Sequence, residues 1–131
     1  MKYLGIDYGR KRVGVAVSDA EGKIAFPRTT VTNDDKLLSG LLKLIQNEKI
    51  GRIVVGDTRA SGGAENPITF EAQAFVEELT KATSVPIEFA SEMWSSIEAS
   101  RYAPENKAHD DGAAAAIILQ RYLEMKGGEV E

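Results

Sequence analysis

Apolar and polar residues alternate with a period of two from the start of the chain. That period predicts strands at residues 3–8 and 12–18, joined by a tight turn at 9–11. The stretch "DAEGK" at 19–23 reads as a hairpin loop, and a third strand follows at about 24–31, where Pro27 marks an edge position. The period then changes to that of a helix over 32–49. Leu37, Leu38, Leu41, Leu42 and Ile45 form one stripe, Asn33 reads as the cap, and Asp34 and Asp35 suit the positive end of the helix dipole. The run "RIVVG" at 52–56 is apolar throughout, as expected of a strand covered on both faces. After the loop "DTRASGGAE", Asn66 and Pro67 open a second helix with Ile68, Ala72, Phe75, Val76 and Leu79 on one side. A strand at 85–90, a short helix at 94–102 ended by Pro104, and a last helix at 110–126 stopped by Gly127-Gly128 complete the chain.

The order predicts an antiparallel meander of three strands, then two helix-linked strands that run parallel. No repeat or linker divides the 131 residues, so one α/β domain spans 1–131, with a short disordered acidic tail at about 127–131.

Composition narrows the field. Hydrophobic content of 43% and charged content of 27% describe a globular chain with a core. The absence of cysteine excludes disulfides, thiolate nucleophiles and sulfur-ligated metals, and fits a reducing cytoplasm. The longest apolar run, 113–119, is too short to cross a bilayer, and the N-terminus has no signal-peptide profile, so a cytoplasmic protein without membrane contact is expected. A net charge of −4 argues against a general polyanion binder. A cluster of metal-binding carboxylates, however, makes a chain look acidic until its cations are bound.

Such a cluster is suggested by three acids. Aspartate is a poor strand residue, yet Asp7 stands where the first strand still runs, before Gly9 and the basic triplet Arg10, Lys11 and Arg12. Alternation puts Tyr3, Gly5 and Asp7 on one face and Leu4, Ile6 and Tyr8 on the other. In the second strand Gly14, Ala16 and Ser18 lie opposite Val13, Val15 and Val17. If the small faces align, Asp7 looks onto a floor of Gly5, Gly14 and Ala16, with room for a ligand or a close helix. Glu92 follows the strand at 85–90, and parallel strands carry ligands at their carboxyl ends. Asp111 shares a helix face with Ala115, Ile118 and Tyr122, at spacings of four, seven and eleven, so it is carried toward the sheet. Each acid also has a plainer role, Asp7 bonding to the next turn and the other two favouring helix N-termini. Gathered together they would repel one another unless cations lay between them. Oxygen-only ligands favour Mg²⁺ or Mn²⁺, and two such ions clamp the attacking and leaving oxygens in phosphodiester hydrolysis.

Arg10, Lys11 and Arg12 are the candidate phosphate contacts, with Ser95 and Lys107 beside them, although Ser95 and Ser96 also suit the cap of the helix that follows. His109 could shuttle protons, Trp94 could stack on a base, and "SGGAENP" at 61–67 is a weak phosphate signal. An acid–glycine strand turn also occurs in the nucleotide-phosphate hairpins of actin and sugar kinases, but those need two such domains and this chain has one.

"GIDYGRKRVGVAVSD" at 5–19 resembles the opening motif of the YqgF/RuvX family, the Holliday junction resolvases now regarded as pre-16S rRNA nucleases. "IVVGDTRASGGAENP", "VPIEFASEMWSSIEA" and "DDGAAAAIILQRYLE" are similar to later segments of the family, in the same order. The resemblance implies an RNase H-like fold, a five-stranded mixed sheet flanked by helices, and a metal-dependent nuclease whose acids fall on Asp7, Glu92 and Asp111. It implies precursor rRNA as substrate, in ribosomal precursor particles, with branched DNA as the alternative; a monomer or weak homodimer is expected. A non-catalytic ribosome-associated module is a further alternative. Around the second acid the family usually has Asp-Glu-Arg-Leu-Ser/Thr-Thr, where this chain has Ser91-Glu92-Met93-Trp94-Ser95-Ser96. Its usual Gly-Leu-Pro is Gly56-Asp57-Thr58, and 103–108 is shorter than the family's basic stretch. The acids are retained while basic groups are fewer.

Overall fold

Side-chain alternation in the first two strands decides how the layers stack. The structure is a computed structural model that describes residues 1–57, 67–91 and 111–130. Strands β1 (Lys2–Asp7), β2 (Arg12–Ser18) and β3 (Ala25–Thr32) form an antiparallel meander. Helix α1 (Leu37–Glu48) leads to β4 (Ile50–Asp57), and α2 (Pro67–Ala82) leads to β5 (Ile87–Ser91). Both β4 and β5 run parallel to β1, and helix α3 spans Asp111–Val130. The sheet order is β3-β2-β1-β4-β5, so β1 is central and Pro27 does lie on an edge strand.

Branched residues take one face. Leu4, Ile6, Val13, Val15, Val17, Ile53 and Val55 pack against Leu37, Leu41 and Ile45 of α1 and Phe75 and Leu79 of α2. Smaller residues take the other, where Ala16, Val54 and Ala90 meet Ala115, Ile118, Leu119 and Leu123 of α3. The result is a three-layer α/β sandwich in which the small face lets α3 come close. A Cβ added at Gly5 would lie 2.9 Å from the Cβ of Leu119 and 3.2 Å from the carbonyl oxygen of Ala115.

The sequence expectations need correction at two helix ends. Helix α1 begins at Leu37, with Lys36 at its N-cap and no side-chain cap, and its first turn holds no acid. Asn33 is not the cap, because its side chain is engaged by the β1–β2 turn. Asp34 lies outside the helix and accepts the Lys36 N–H at 2.9 Å. At the other end of the chain, α3 continues through Gly127-Gly128 to Val130. A glycine in a helix costs about 1 kcal/mol relative to alanine, which weakens a helix without stopping it. The expected helix at 94–102, its Pro104 stop, the glycine-rich loop 61–66 and the Asn66 cap lie outside the described residues. No helix among the described residues is long and apolar enough to cross a membrane.

Candidate functional site

Asp7 closes β1 and pairs in register with Gly14, while Gly5 pairs with Ala16. The small floor read from alternation therefore forms, and half-buried Asp7 stands at its end. Because β1, β4 and β5 are parallel, their carboxyl ends share one sheet edge. Asp57 of β4 lies beside Ser91 of β5 there, and Glu92 is the next residue in the chain.

Helix α3 approaches the same edge from the small-residue face. Tyr122 packs on Tyr3, with ring centroids 5.9 Å apart, and Leu119 and Ala115 lie over Gly5. The helix thus runs antiparallel to β1. Its first residue precedes Ala115 by four positions, about 6 Å of helix rise. Asp7 lies two strand residues beyond Gly5, about 7 Å. These matching displacements direct the start of α3 toward the strand end that carries Asp7. Glu92 itself, Ser95, Lys107, Trp94 and His109 lie outside the described residues, as does the side chain of Asp111. Among the described residues no three His, Cys, Asp or Glu side chains form an alternative metal centre.

The turn after Asp7 is tightly built. A Cβ at Gly9 would collide with the carbonyl oxygen of Arg12, so only glycine fits. Arg10, Lys11 and Arg12 are exposed on this turn. Arg10 Nε lies 3.3 Å from Glu71 Oε2 of α2, an ion pair with both partners open to solvent, worth about 0.2–1 kcal/mol. Below the turn, on the α1/α2 side, Tyr8, Asn33, Asp34, Asp35, Glu71 and Glu78 line a groove of about 500 Å³. Its carboxylates make that side hostile to a polyanion, in contrast to the basic turn above it.

Sequence reading missed a polar cluster midway along α3, near the amino ends of β4 and β5. Arg52 of β4 pairs with Glu88 of β5, and the Tyr122 hydroxyl donates to Glu88 Oε2 at 2.8 Å. Burial pushes the Tyr122 hydroxyl well above its ordinary pKa of 10.0, and the bond to the Glu88 carboxylate adds to the rise. Arg52 and Glu88 each interrupt a mainly apolar strand, and those two interruptions were the available signal.

This sheet order, with a carboxylate ending the central strand and helices on both faces, defines an RNase H-like α/β fold. Solved structures agree on the fold. RuvC of Thermus thermophilus matches with a TM-score of 0.65 at 16% identity, over 98% of this chain and 97% of that one. The same protein in complex with a Holliday junction substrate gives 0.66 at 13% identity, over 98% of this chain and 96% of that one. A family model described as "RuvX: Holliday junction resolvase" matches residues 1–125, and the chain belongs to that family. A relative from Oleidesulfovibrio alaskensis, named as a pre-16S rRNA nuclease, is 37% identical over 95% of this chain and 93% of its own length. One of the same name from Nitratidesulfovibrio vulgaris is 45% identical over 76% of this chain and 71% of its own.

Proposed function

We propose that the chain is a divalent-cation-dependent nuclease that hydrolyses phosphodiester bonds in structured RNA, maturing the 5′ end of pre-16S rRNA on ribosomal precursor particles in the cytoplasm. One observation carries this reading. Asp7, the end of β5 and the start of α3 are directed to a single sheet edge, beside a floor of Gly5, Gly14 and Ala16. Relatives named as pre-16S rRNA nucleases, matched over more than nine-tenths of their own length, support the nuclease and its RNA substrate.

The residues fit the cation that the family implies. Asp7 is half-buried, pairs with a strand position without a side chain, and offers oxygen donors in a chain without cysteine thiolates. Asp7, Glu92 and Asp111 would hold two Mg²⁺ or Mn²⁺ ions. When bound, such ions supply the positive charge that phosphodiester hydrolysis needs at the scissile group. Arg10, Lys11 and Arg12, with Ser95 and Lys107, hold backbone phosphates, which sets position without selecting sequence. The acidic groove on the α1/α2 side turns the substrate toward the α3 side of the edge.

The family's name favours a second reading, in which the same chemistry acts on a four-way DNA junction. Symmetric cutting of two strands calls for a two-fold dimer. The experiment that separates the readings is Mn²⁺-dependent cleavage of precursor rRNA beside a synthetic DNA junction. The expected result is cleavage of the RNA by a monomer or weak homodimer, abolished in Asp7→Asn. Cutting of the junction alone by a stable dimer would transfer the assignment to DNA. RNA binding with no cleavage by the wild type would leave a binding module.

A further inference from the structure

Asn33 lies between β3 and α1, far along the chain from the basic turn, yet it is joined to that turn twice. Its side-chain Nδ2 donates to the carbonyl oxygen of Gly9 at 2.7 Å, and its backbone N–H donates to the carbonyl oxygen of Lys11 at 2.9 Å. The two acceptors bracket Arg10 and lie immediately before Arg12. Between them the turn has little slack, since Gly9 is packed against the Arg12 carbonyl. The Arg10–Glu71 pair also ties the turn down, but it is open to solvent at both ends and holds a side chain rather than the backbone.

We propose that Asn33 is a positioning residue for nucleic-acid binding: it clamps the backbone of the Gly9 turn so that Arg10, Lys11 and Arg12 are presented together to successive phosphates. The inference rests on the nuclease reading for its substrate and deepens it by naming what orders the basic turn. A loose turn still carries three positive charges, but it must be ordered at the moment of binding or leave a phosphate without its contact, and either outcome lowers affinity. Asn33 touches neither substrate nor cation, so its removal acts through the triplet, on substrate capture rather than on turnover.

The test uses the full chain and a fluorescently labelled RNA hairpin, titrated without divalent cation so that cleavage does not intervene. Asn33→Ala keeps the backbone bond to Lys11 and removes only the amide bond to Gly9. It is expected to weaken binding about two- to tenfold, the worth of one ordinary hydrogen bond. The slope of log affinity against log salt is expected to become shallower by roughly 0.7–0.9 for each phosphate that the triplet ceases to neutralise. With Mn²⁺ and precursor rRNA as substrate, KM rises while kcat stays near the wild-type value. Asn33→Leu, similar in shape and uncharged, is the second variant should alanine fail to fold, and it is held to the same criteria. A folded variant with wild-type affinity and salt slope overturns the proposal, as does a fall in kcat at unchanged KM. A wild-type chain that binds precursor rRNA without cutting it under Mn²⁺ overturns the nuclease reading alone, while weaker binding of the hairpin by the variants still supports the clamp.

Discussion

Gly5 shapes the site by lacking a side chain. It sits between Leu4 and Ile6, both fully buried on the opposite face, and leaves α3 in near contact with the sheet. In Gly5→Ala the new Cβ would meet Leu119 at 2.9 Å, and the clash is with packed atoms rather than a flexible tip. Overpacking of this kind costs about 1–3 kcal/mol. A urea melt should show that destabilisation, and because α3 must move away from β1, cleavage should fall with it. A Gly5→Ala chain with unchanged midpoint would show that α3 does not rest on this floor. Half of the floor was legible from sequence, because a strand has a strict period of two that groups Gly5 with Asp7 and Gly14 with Ala16; that the two small faces align is set by the β1–β2 register. Asn33 was not legible. Its amide bonds a carbonyl 24 positions away, and within the local sequence an asparagine just after a strand looks like a cap.

The same contrast holds among the elements. All five strands and the three described helices follow from periodicity, with ends displaced by a few residues. The exceptions have physical causes. Asn33 is engaged elsewhere, so α1 starts later without a side-chain cap. It ends at Lys49 in the left-handed region, φ 56°, a conformation the sequence does not announce with a glycine. Helix α3 is tied to the sheet at its middle by Tyr122, Glu88 and Arg52, and this tie makes a pH prediction. The folded pKa of Tyr122 is raised, chiefly by burial and then by the Glu88 bond, so the protonated hydroxyl is the stabilised form. Its contribution is fully present below the ordinary value of 10.0 and is lost as pH rises above it. Thermal melts of the wild type should fall more steeply than those of Tyr122→Phe as pH rises above about 10, the ordinary tyrosine value. Parallel slopes would remove Tyr122 from the account of how α3 docks.

For the whole molecule, the net charge of −4 is a poor guide to what the chain binds, because it averages over a local basic turn and a local acidic groove that meet at the Arg10–Glu71 pair. The basic turn follows Asp7, and the acidic groove lies on the α1/α2 side. Sequence could place the three acids on a strand end, a strand exit and a helix start, which suffices to propose a shared edge. The parallel register of β1, β4 and β5 and the antiparallel course of α3 supply the geometry that sequence lacked. The central claim is that Asp7, Glu92 and Asp111 share divalent cations, and Mn²⁺ binding followed by calorimetry, with no nucleic acid present, tests it most directly. Two ions per chain are expected for the wild type, with affinity reduced at least about tenfold in Asp7→Asn, the equivalent of about 1.4 kcal/mol for removal of one charged ligand. Equal Mn²⁺ binding by wild type and Asp7→Asn, or none by either, would contradict the account.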